Sequence, residues 1–239
     1  GSRVQRICVA YEGMERFFPA DRIVMTGNPI RSIIVPATPE MKEAGIKEYG
    51  LDPSRKHIFI VGGSLGSARF NQCMKEWISD GCPGLDGVDV LWQCGKHYRP
   101  DIDRFMDEQR TKNPDVARHI HHSDFIGRME LAYAAADVVI SRSGASSVSE
   151  LCAARKAVIF IPSPNVAEDH QTHNAMALVK KDAAVVVKDA EAMEKMIPTA
   201  LGLLKDPARI ARLEENAGKM ALPDAAEKIA EEVYKLIKD

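Results

Sequence analysis

Two stretches of this sequence, IFIV at residues 58–61 and VIFI at residues 158–161, are apolar without a break. A strand with one face in water alternates apolar and polar residues. A strand without alternation is covered on both faces, which happens in parallel sheets sandwiched between helices. Strands of this kind are predicted at residues 57–61, 88–93, 138–141 and 158–161, with weaker ones at 7–10, 23–26, 120–122 and 184–187. Amphipathic stretches of helical length lie between them, at 39–49, 68–79, 101–112, 128–135, 146–154 and 169–181. Alternation of strand and helix on this scale predicts an α/β fold, a Rossmann-like doubly wound parallel sheet. After residue 187 the pattern is purely helical, through 190–204, 207–220 and 224–238, and makes a helical C-terminal tail.

The charge balance excludes some partners. Of 239 residues, 32 are Lys or Arg and 34 are Asp or Glu, with no long basic block. Nucleic acid is therefore not an expected partner, since phosphate-backbone binding leaves a basic surplus. No apolar run approaches the roughly 18 residues of a membrane span. Contact with a membrane surface stays open. Five cysteines without paired spacing (Cys8, Cys73, Cys82, Cys94, Cys152) read as free thiols of a reducing cytoplasm.

Residues 1–2 (GS) read as an expression-vector scar. The next segment begins in mid-strand and holds too little for a domain, so residues 3–31 read as the end of a preceding domain and its hinge. The hinge signal is TGNPIR at 26–31, where Gly27, Asn28 and Pro29 favour a turn. A main domain is expected over 32–222, with a last helix over 223–239.

Two loops suit anions. VGGSLGS at 61–67 follows a strand and precedes a helix; its glycines allow close backbone approach, and the helix start offers free N–H groups. The spacing matches neither the dinucleotide fingerprint nor the P-loop. A tight turn without a ligand reads the same way. The second loop is SRSGASSVSE at 141–150, a strand end, a turn and a helix whose first turn carries Ser146 and Ser147. These serines are either anion ligands or simple helix caps. Glu150, one turn further in, is placed to accept hydrogen bonds from vicinal hydroxyls or to sit on a solvated face. Two such loops at the carboxyl ends of parallel strands fit a diphosphate lying across the sheet crevice.

The motifs SRSGASSVSEL, GGSLG, TGNPIR, FIGRMELAYAAADVVI (125–140) and PSPNVAEDHQTHNA (162–175) occur in an order and spacing similar to one family. It is the MurG family, bacterial enzymes that transfer N-acetylglucosamine from UDP-N-acetylglucosamine (UDP-GlcNAc) to lipid I. The resemblance runs from about residue 7 to the C-terminus. It implies one half of a GT-B fold, the half that holds UDP-GlcNAc, with no cofactor. It also implies roles for particular residues. Arg31 would lie near the nucleotide, and Ser64 would contact a phosphate. Ile126 would bond uracil through its backbone, with Phe125 capping the ring. Ala145, Ser146, Ser147, Val148 and Ser149 would serve the diphosphate, Glu150 the ribose and Gln171 the sugar. A neutral amide can donate and accept together, which suits vicinal hydroxyls.

The sequence departs from the family pattern in places. Ser67-Ala68 stands where Ala-Arg or Ala-Lys is usual, which removes a cation from that helix start. Arg155-Lys156-Ala157 stands where Gly-Lys-Pro is common, and Ser146 at an often apolar position. His170 reads as a helix-start residue or a sugar contact. For His119, His121 and His122 no third or fourth zinc ligand at suitable spacing is apparent nearby, and they read as surface or loop residues, the first two on one strand face.

In the family, the acceptor hydroxyl is the C4 hydroxyl of the muramoyl sugar, the reaction inverts the anomeric carbon, and the base belongs to the N-terminal domain. This chain is therefore expected to bind the donor without completing catalysis, and no catalytic or metal-binding residue is assigned to it. Lipid I would be reached through the absent N-terminal domain. The full-length enzyme is expected in the cytoplasm, peripheral on the inner face of the membrane. The stripe Ile229, Val233 and Ile237 on the last helix would be exposed or would pack on another copy. Two alternatives remain at this level: a UDP-GlcNAc 2-epimerase of similar fold, and a non-catalytic nucleotide-sugar-binding module that works with a partner chain.

Overall fold

The structure, a computed structural model, describes residues 4–165 and 169–238. Residues 1–2, the expected scar, and residues 166–168 of the 162–175 motif lie outside the described residues.

The chain opens with a small parallel pair, β1 (Ile7–Val9) beside β2 (Ile23–Met25). Two short 3-10 turns, Met14–Arg16 and Ala20–Arg22, lie between them. An extended segment then leads to α1 (Pro39–Glu48), capped by Thr38, whose hydroxyl accepts from the Met41 N–H at 3.3 Å. From there strands and helices alternate: β3 (Lys56–Val61), α2 (Ala68–Ser79), β4 (Val88–Gln93), α3 (Arg99–Lys112), α4 (Pro114–Ala117) and β5 (Ile120–Ser123). The second half runs α5 (Met129–Ala135), β6 (Val138–Ser141), α6 (Ala145–Ala153), β7 (Val158–Phe160), α7 (His170–Val179) and β8 (Val185–Val186). The tail is α8 (Ala192–Leu204), α9 (Pro207–Lys219) and α10 (Ala225–Lys238).

The six later strands form one parallel sheet in the order β5-β4-β3-β6-β7-β8. The chain builds outward from β3 to β5, returns through α5, and builds outward again from β6. This is the doubly wound order expected from the sequence, with its switch point between β3 and β6. Side chains of β3 show why no polar residue interrupts its run. Ile58 and Ile60 enter one core with Phe70, Met74 and Trp92, while Phe59 and Val61 enter the other with Tyr133, Leu151 and Phe160.

The differences from expectation are local. Helix α4 falls where no helix is expected, a single turn opened by Pro114. The last strand keeps only Val185 and Val186, since only these pair with β7 at the sheet edge.

The tail returns to the opening segment. A Cβ on Gly27 would come within 2.7 Å of the Leu222 Cβ, so the hinge glycine sits against the approach to α10. Arg6, ahead of β1, pairs with Glu232 on α10 at 3.3 Å. The other face of α10 leaves Val233, Tyr234 and Ile237 exposed.

Candidate functional site

The register of the two central strands brings together the two loops expected to suit anions. Val61, the last residue of β3, pairs with Ser141, the last of β6. The glycine loop starting at Gly62 and the turn starting at Arg142 therefore leave the sheet side by side.

Close backbone packing holds the glycine loop. Gly66 (φ +78°) and Gly95 (φ +92°) face each other; a Cβ on Gly66 would strike the Cys94 carbonyl, and one on Gly95 the Leu65 carbonyl. Both therefore need glycine twice over, for conformation and for space. Gln93 braces the same loop from beneath. Its Oε1 accepts from the Gly62 N–H and its Nε2 donates to the Asp124 carbonyl, each at 3.1 Å.

The start of α6 is open. Its N-cap is Gly144, which has no side chain to offer, so Ser146 and Ser147 do not cap the helix. The Val148 N–H is already given to the Gly144 carbonyl at 3.0 Å. Among the described residues nothing takes the N–H groups of Ala145, Ser146 and Ser147. These three amides carry the positive end of the helix dipole. Val148 differs from its neighbours, since its N–H is bonded within the helix and its side chain is 2 % exposed in the core. Ser149 does not line the groove.

Two hollows open at this point. One, of about 280 Å³, is lined by Arg31, Ser64, Phe125, Ile126, Ser146 and Glu150 among others. The second, of about 590 Å³, takes in the glycine loop, Arg69, Arg142, Gln171 and Asp189. They meet at Gly63, Ser64 and Ser147, which line both. In the first hollow Phe125 is 61 % exposed and presents an open ring. The Ile126 side chain is buried, and neither its backbone N–H nor its carbonyl is engaged by a described residue.

Arg31 reaches Glu150 across this hollow. Its Nε donates to Oε1 at 3.0 Å and its Nη2 to Oε2 at 2.9 Å, while the Tyr133 hydroxyl donates to Oε2 at 3.4 Å. The hydrogen bond to Glu150 raises the Arg31 pKa further. Burial, and next the Glu150 charge, push the Tyr133 phenol well above the usual tyrosine range, so it stays a donor. Glu150 is thus a buried, oriented carboxylate and not a solvated helix residue.

Gln171 differs in detail from expectation. Its Oε1 accepts from the Ser163 N–H at 2.9 Å and the Ser143 N–H at 3.3 Å. The acceptor half of the amide is therefore committed, and only the Nε2 donor is left for the groove. His170 opens α7 and does not line the groove.

Three groove residues escaped the sequence reading. Arg142 donates to Asp189 Oδ1 at 2.6 Å, to the Ile161 carbonyl at 2.9 Å and to Ser67 Oγ at 3.0 Å. Its guanidinium lies 4.6 Å from the Phe70 ring centroid. Arg69 approaches the other Asp189 oxygen at 3.2 Å. The cation apparently missing at the start of α2 is therefore present one position later, and its signal was in the sequence. Asp189 carried no comparable signal.

The histidines form part of a different network. Asp89, 1 % exposed, is met by His119 Nδ1 at 2.8 Å, His121 Nε2 at 3.7 Å and Arg55 Nε at 2.7 Å. His119, just ahead of β5, and His121, within it, both approach Asp89, so they belong to a half-buried polar cluster and not to a loop surface. Among the described residues no group of three or more His, Cys, Asp or Glu is arranged to hold a metal.

Comparison with known proteins agrees with this geometry. Residues 57–229 match the sequence family described as the glycosyltransferase family 28 C-terminal domain. The UDP-N-acetylglucosamine--N-acetylmuramyl-(pentapeptide) pyrophosphoryl-undecaprenol N-acetylglucosamine transferase of Bacteroides thetaiotaomicron is 46 % identical over 234 residues, covering 98 % of this chain and 61 % of that protein. The protein of the same name from Bacteroides fragilis is 47 % identical over 234 residues, covering 98 % of this chain and 60 % of that protein. The chain thus spans about three fifths of the relatives it matches. Among solved structures, MurG of Acinetobacter baumannii superposes with a TM-score of 0.67 at 22 % identity, covering 95 % of this chain and 59 % of that one. The C-terminal CMP-Kdo binding domain of WaaA from the same organism gives 0.57 at 12 %, covering 79 % of this chain and 97 % of that one. These superpositions speak for the fold, one half of a GT-B architecture.

Proposed function

This chain belongs to glycosyltransferase family 28 through the C-terminal domain of that family, and from that premise we propose that it is the donor-binding half of a peptidoglycan-synthesising N-acetylglucosaminyltransferase. The donor is UDP-GlcNAc. The acceptor is the undecaprenyl-pyrophosphoryl-muramoyl-pentapeptide, lipid I, and the product is lipid II. The observation that carries the reading is the groove at the β3–β6 switch point, where the glycine loop and the open start of α6 converge.

The groove suits the parts of the ligand in sequence. Uracil fits the hollow beside Phe125, with the backbone N–H and carbonyl of Ile126 as its readers. Glu150 takes the ribose hydroxyls, and Ser64 with the amides of Ala145, Ser146 and Ser147 takes the diphosphate. Gln171 Nε2 donates to a sugar hydroxyl. When the glycosidic bond breaks, negative charge grows on the departing UDP, and preorganised helix-start amides stabilise it. Arg142 and Arg69, held by Asp189, keep positive charge close by.

We read residues 3–31 as the end of an acceptor-side domain and 223–239 as a helix that returns to it. Support comes from the separate β1–β2 pair and from the Arg6–Glu232 contact. The general base and most lipid I contacts then lie beyond this chain, and the chain binds donor with little or no turnover. The exposed stripe of α10 is the surface through which it meets that domain or a second copy. Among the described residues no helix is long and apolar enough to cross a membrane. The whole enzyme would act peripherally on the inner membrane face. The epimerase and the stand-alone binding module are not favoured, because relatives at 41–47 % identity carry the transferase name.

Calorimetric titration with UDP-GlcNAc, UDP and UDP-glucose tests this. Binding of UDP is expected, with UDP-GlcNAc preferred over UDP-glucose. No binding of UDP at millimolar ligand would sink the reading.

A further inference from the structure

A separate cavity, of about 750 Å³, lies at the other end of the sheet, among residues at the approaches to β3, β6 and β7 and along α9. Its volume is in the range of small-molecule sites. No part of the donor groove lines it.

Its charges do not cancel. Lys42 is paired with Asp137 at 2.9 Å, and Glu215 with Lys219 at 2.7 Å. That leaves Lys56, Arg155 and Lys156 facing the single carboxylate of Glu214. Among the described residues neither Lys56 nor Arg155 forms an ion pair. Lys156 is 7 % exposed, yet its Nζ comes no nearer to Glu214 than 3.8 Å, beyond a hydrogen bond. A largely buried ammonium held only by this long ion pair gains from a second anion. Burial lowers the Lys156 pKa and raises that of Glu214.

From this arrangement we infer that the cavity binds the phosphate group of a small organic phosphate monoester. The chemistry selects that class. Arg155 offers a planar fork and the two lysines offer point charges, which together suit a tetrahedral dianion better than a planar carboxylate. Leu204, Pro207 and Ile210 give the rest of the cavity an apolar wall, and its volume far exceeds one phosphate. The occupant therefore carries an apolar body. Such a site is separate from the donor groove, so its ligand and UDP bind together.

Nitrogen-15 spectra of the whole chain, recorded with saturating UDP to fill the donor groove, provide the test. Phenyl phosphate should shift the amides of Lys56, Arg155 and Lys156, at least ten-fold more tightly than inorganic phosphate, while phenol shifts none of them. Lys156→Met should abolish those shifts. Should that variant fail to fold, the double variant Lys56→Ala/Arg155→Ala, at two exposed positions, should weaken phenyl phosphate at least ten-fold. Absence of shifts at millimolar phenyl phosphate overturns the inference, as does unchanged affinity in the double variant. Shifts confined to Gly62–Ser67 would mean that phosphate finds only the glycine loop, and they overturn it too. The glycine-loop amides report UDP separately, so failure at one site is not mistaken for failure at the other.

Discussion

Arg31 and Glu150, 119 positions apart, are joined by two hydrogen bonds of 3.0 and 2.9 Å that tie the hinge segment to the middle of α6. The Arg31 side chain is 45 % exposed and that of Glu150 11 %. The pair therefore fixes a buried acceptor with a donor that water can still reach. The carboxylate has more lone-pair positions than Arg31 and Tyr133 occupy, which leaves room for a hydroxyl.

Glu150→Ala should weaken UDP about ten-fold, or about 1.4 kcal/mol, by removing the ribose acceptor. Arg31→Ala should leave a buried carboxylate held by Tyr133 alone and lower stability by about 1 kcal/mol, since solvent access softens the loss. Calorimetry reads the first and urea unfolding the second. Unchanged UDP affinity in Glu150→Ala would remove this residue from the site.

The glycines of the first loop should not be equivalent. Gly66→Ala and Gly95→Ala each place a Cβ against a carbonyl as well as forcing positive φ, and should cost about 3 kcal/mol or more along with UDP binding. Gly63 also has positive φ (+91°), but a Cβ there meets nothing within 4 Å. Gly63→Ala should cost only the conformational strain, about 1 kcal/mol. Similar losses in all three variants would contradict this account of the loop.

Gln171→Glu separates support from recognition. A carboxylate can still accept from the Ser143 and Ser163 amides, so the loop should hold and UDP affinity should change little. The Nε2 donor is lost, and the preference for UDP-GlcNAc over UDP should fall about five-fold, of the order of one neutral hydrogen bond. An undiminished preference in side-by-side titrations would mean that Gln171 serves only the loop.

Asp89 should shape stability in acid. Burial by itself would raise its pKa, but His121 at 3.7 Å and hydrogen bonds with the Asp52 N–H and His119 outweigh that and hold the carboxyl well below the usual range. A depressed carboxyl contributes fully above its unfolded value of about 3.9, and the contribution is lost as pH falls below that towards the folded value. Urea midpoints measured from pH 6 down to pH 2.5 should therefore fall on the acid side. Asp89→Asn should be less stable at pH 6 and show a shallower acid limb. An identical acid limb in the variant would exclude Asp89 as its source.

The sheet was legible because burial on both faces writes itself into a strand as an unbroken apolar run, and β3 and β7 carry such runs. Edge strand β8 was only partly legible, since half-covered residues at a sheet end leave no clear boundary. Within the groove, Glu150, Ser147 and Gln171 were found because they share short motifs. Gly95 was not, because its requirement comes from the Leu65 backbone across space and not from its neighbours in sequence. Arg142 lay inside a motif but read as part of a turn, since its partners Ser67 and Asp189 are distant in sequence. Val148 is the reverse case. It stands three and four positions before Leu151 and Cys152, an inward helical stripe, and that spacing already argued for a core residue.

The pairing of Val61 with Ser141 sets the glycine loop and the 142–144 turn on opposite halves of a sheet whose outward growth runs in two directions. Under the proposed function, a nucleotide lying across them is a removable strut between those halves, bound only when both have assembled. Occupancy should feed directly into the unfolding equilibrium. Ligand at a hundred times its dissociation constant adds about 2.7 kcal/mol, so the melting temperature of this chain doubles as a gauge of which nucleotide it prefers.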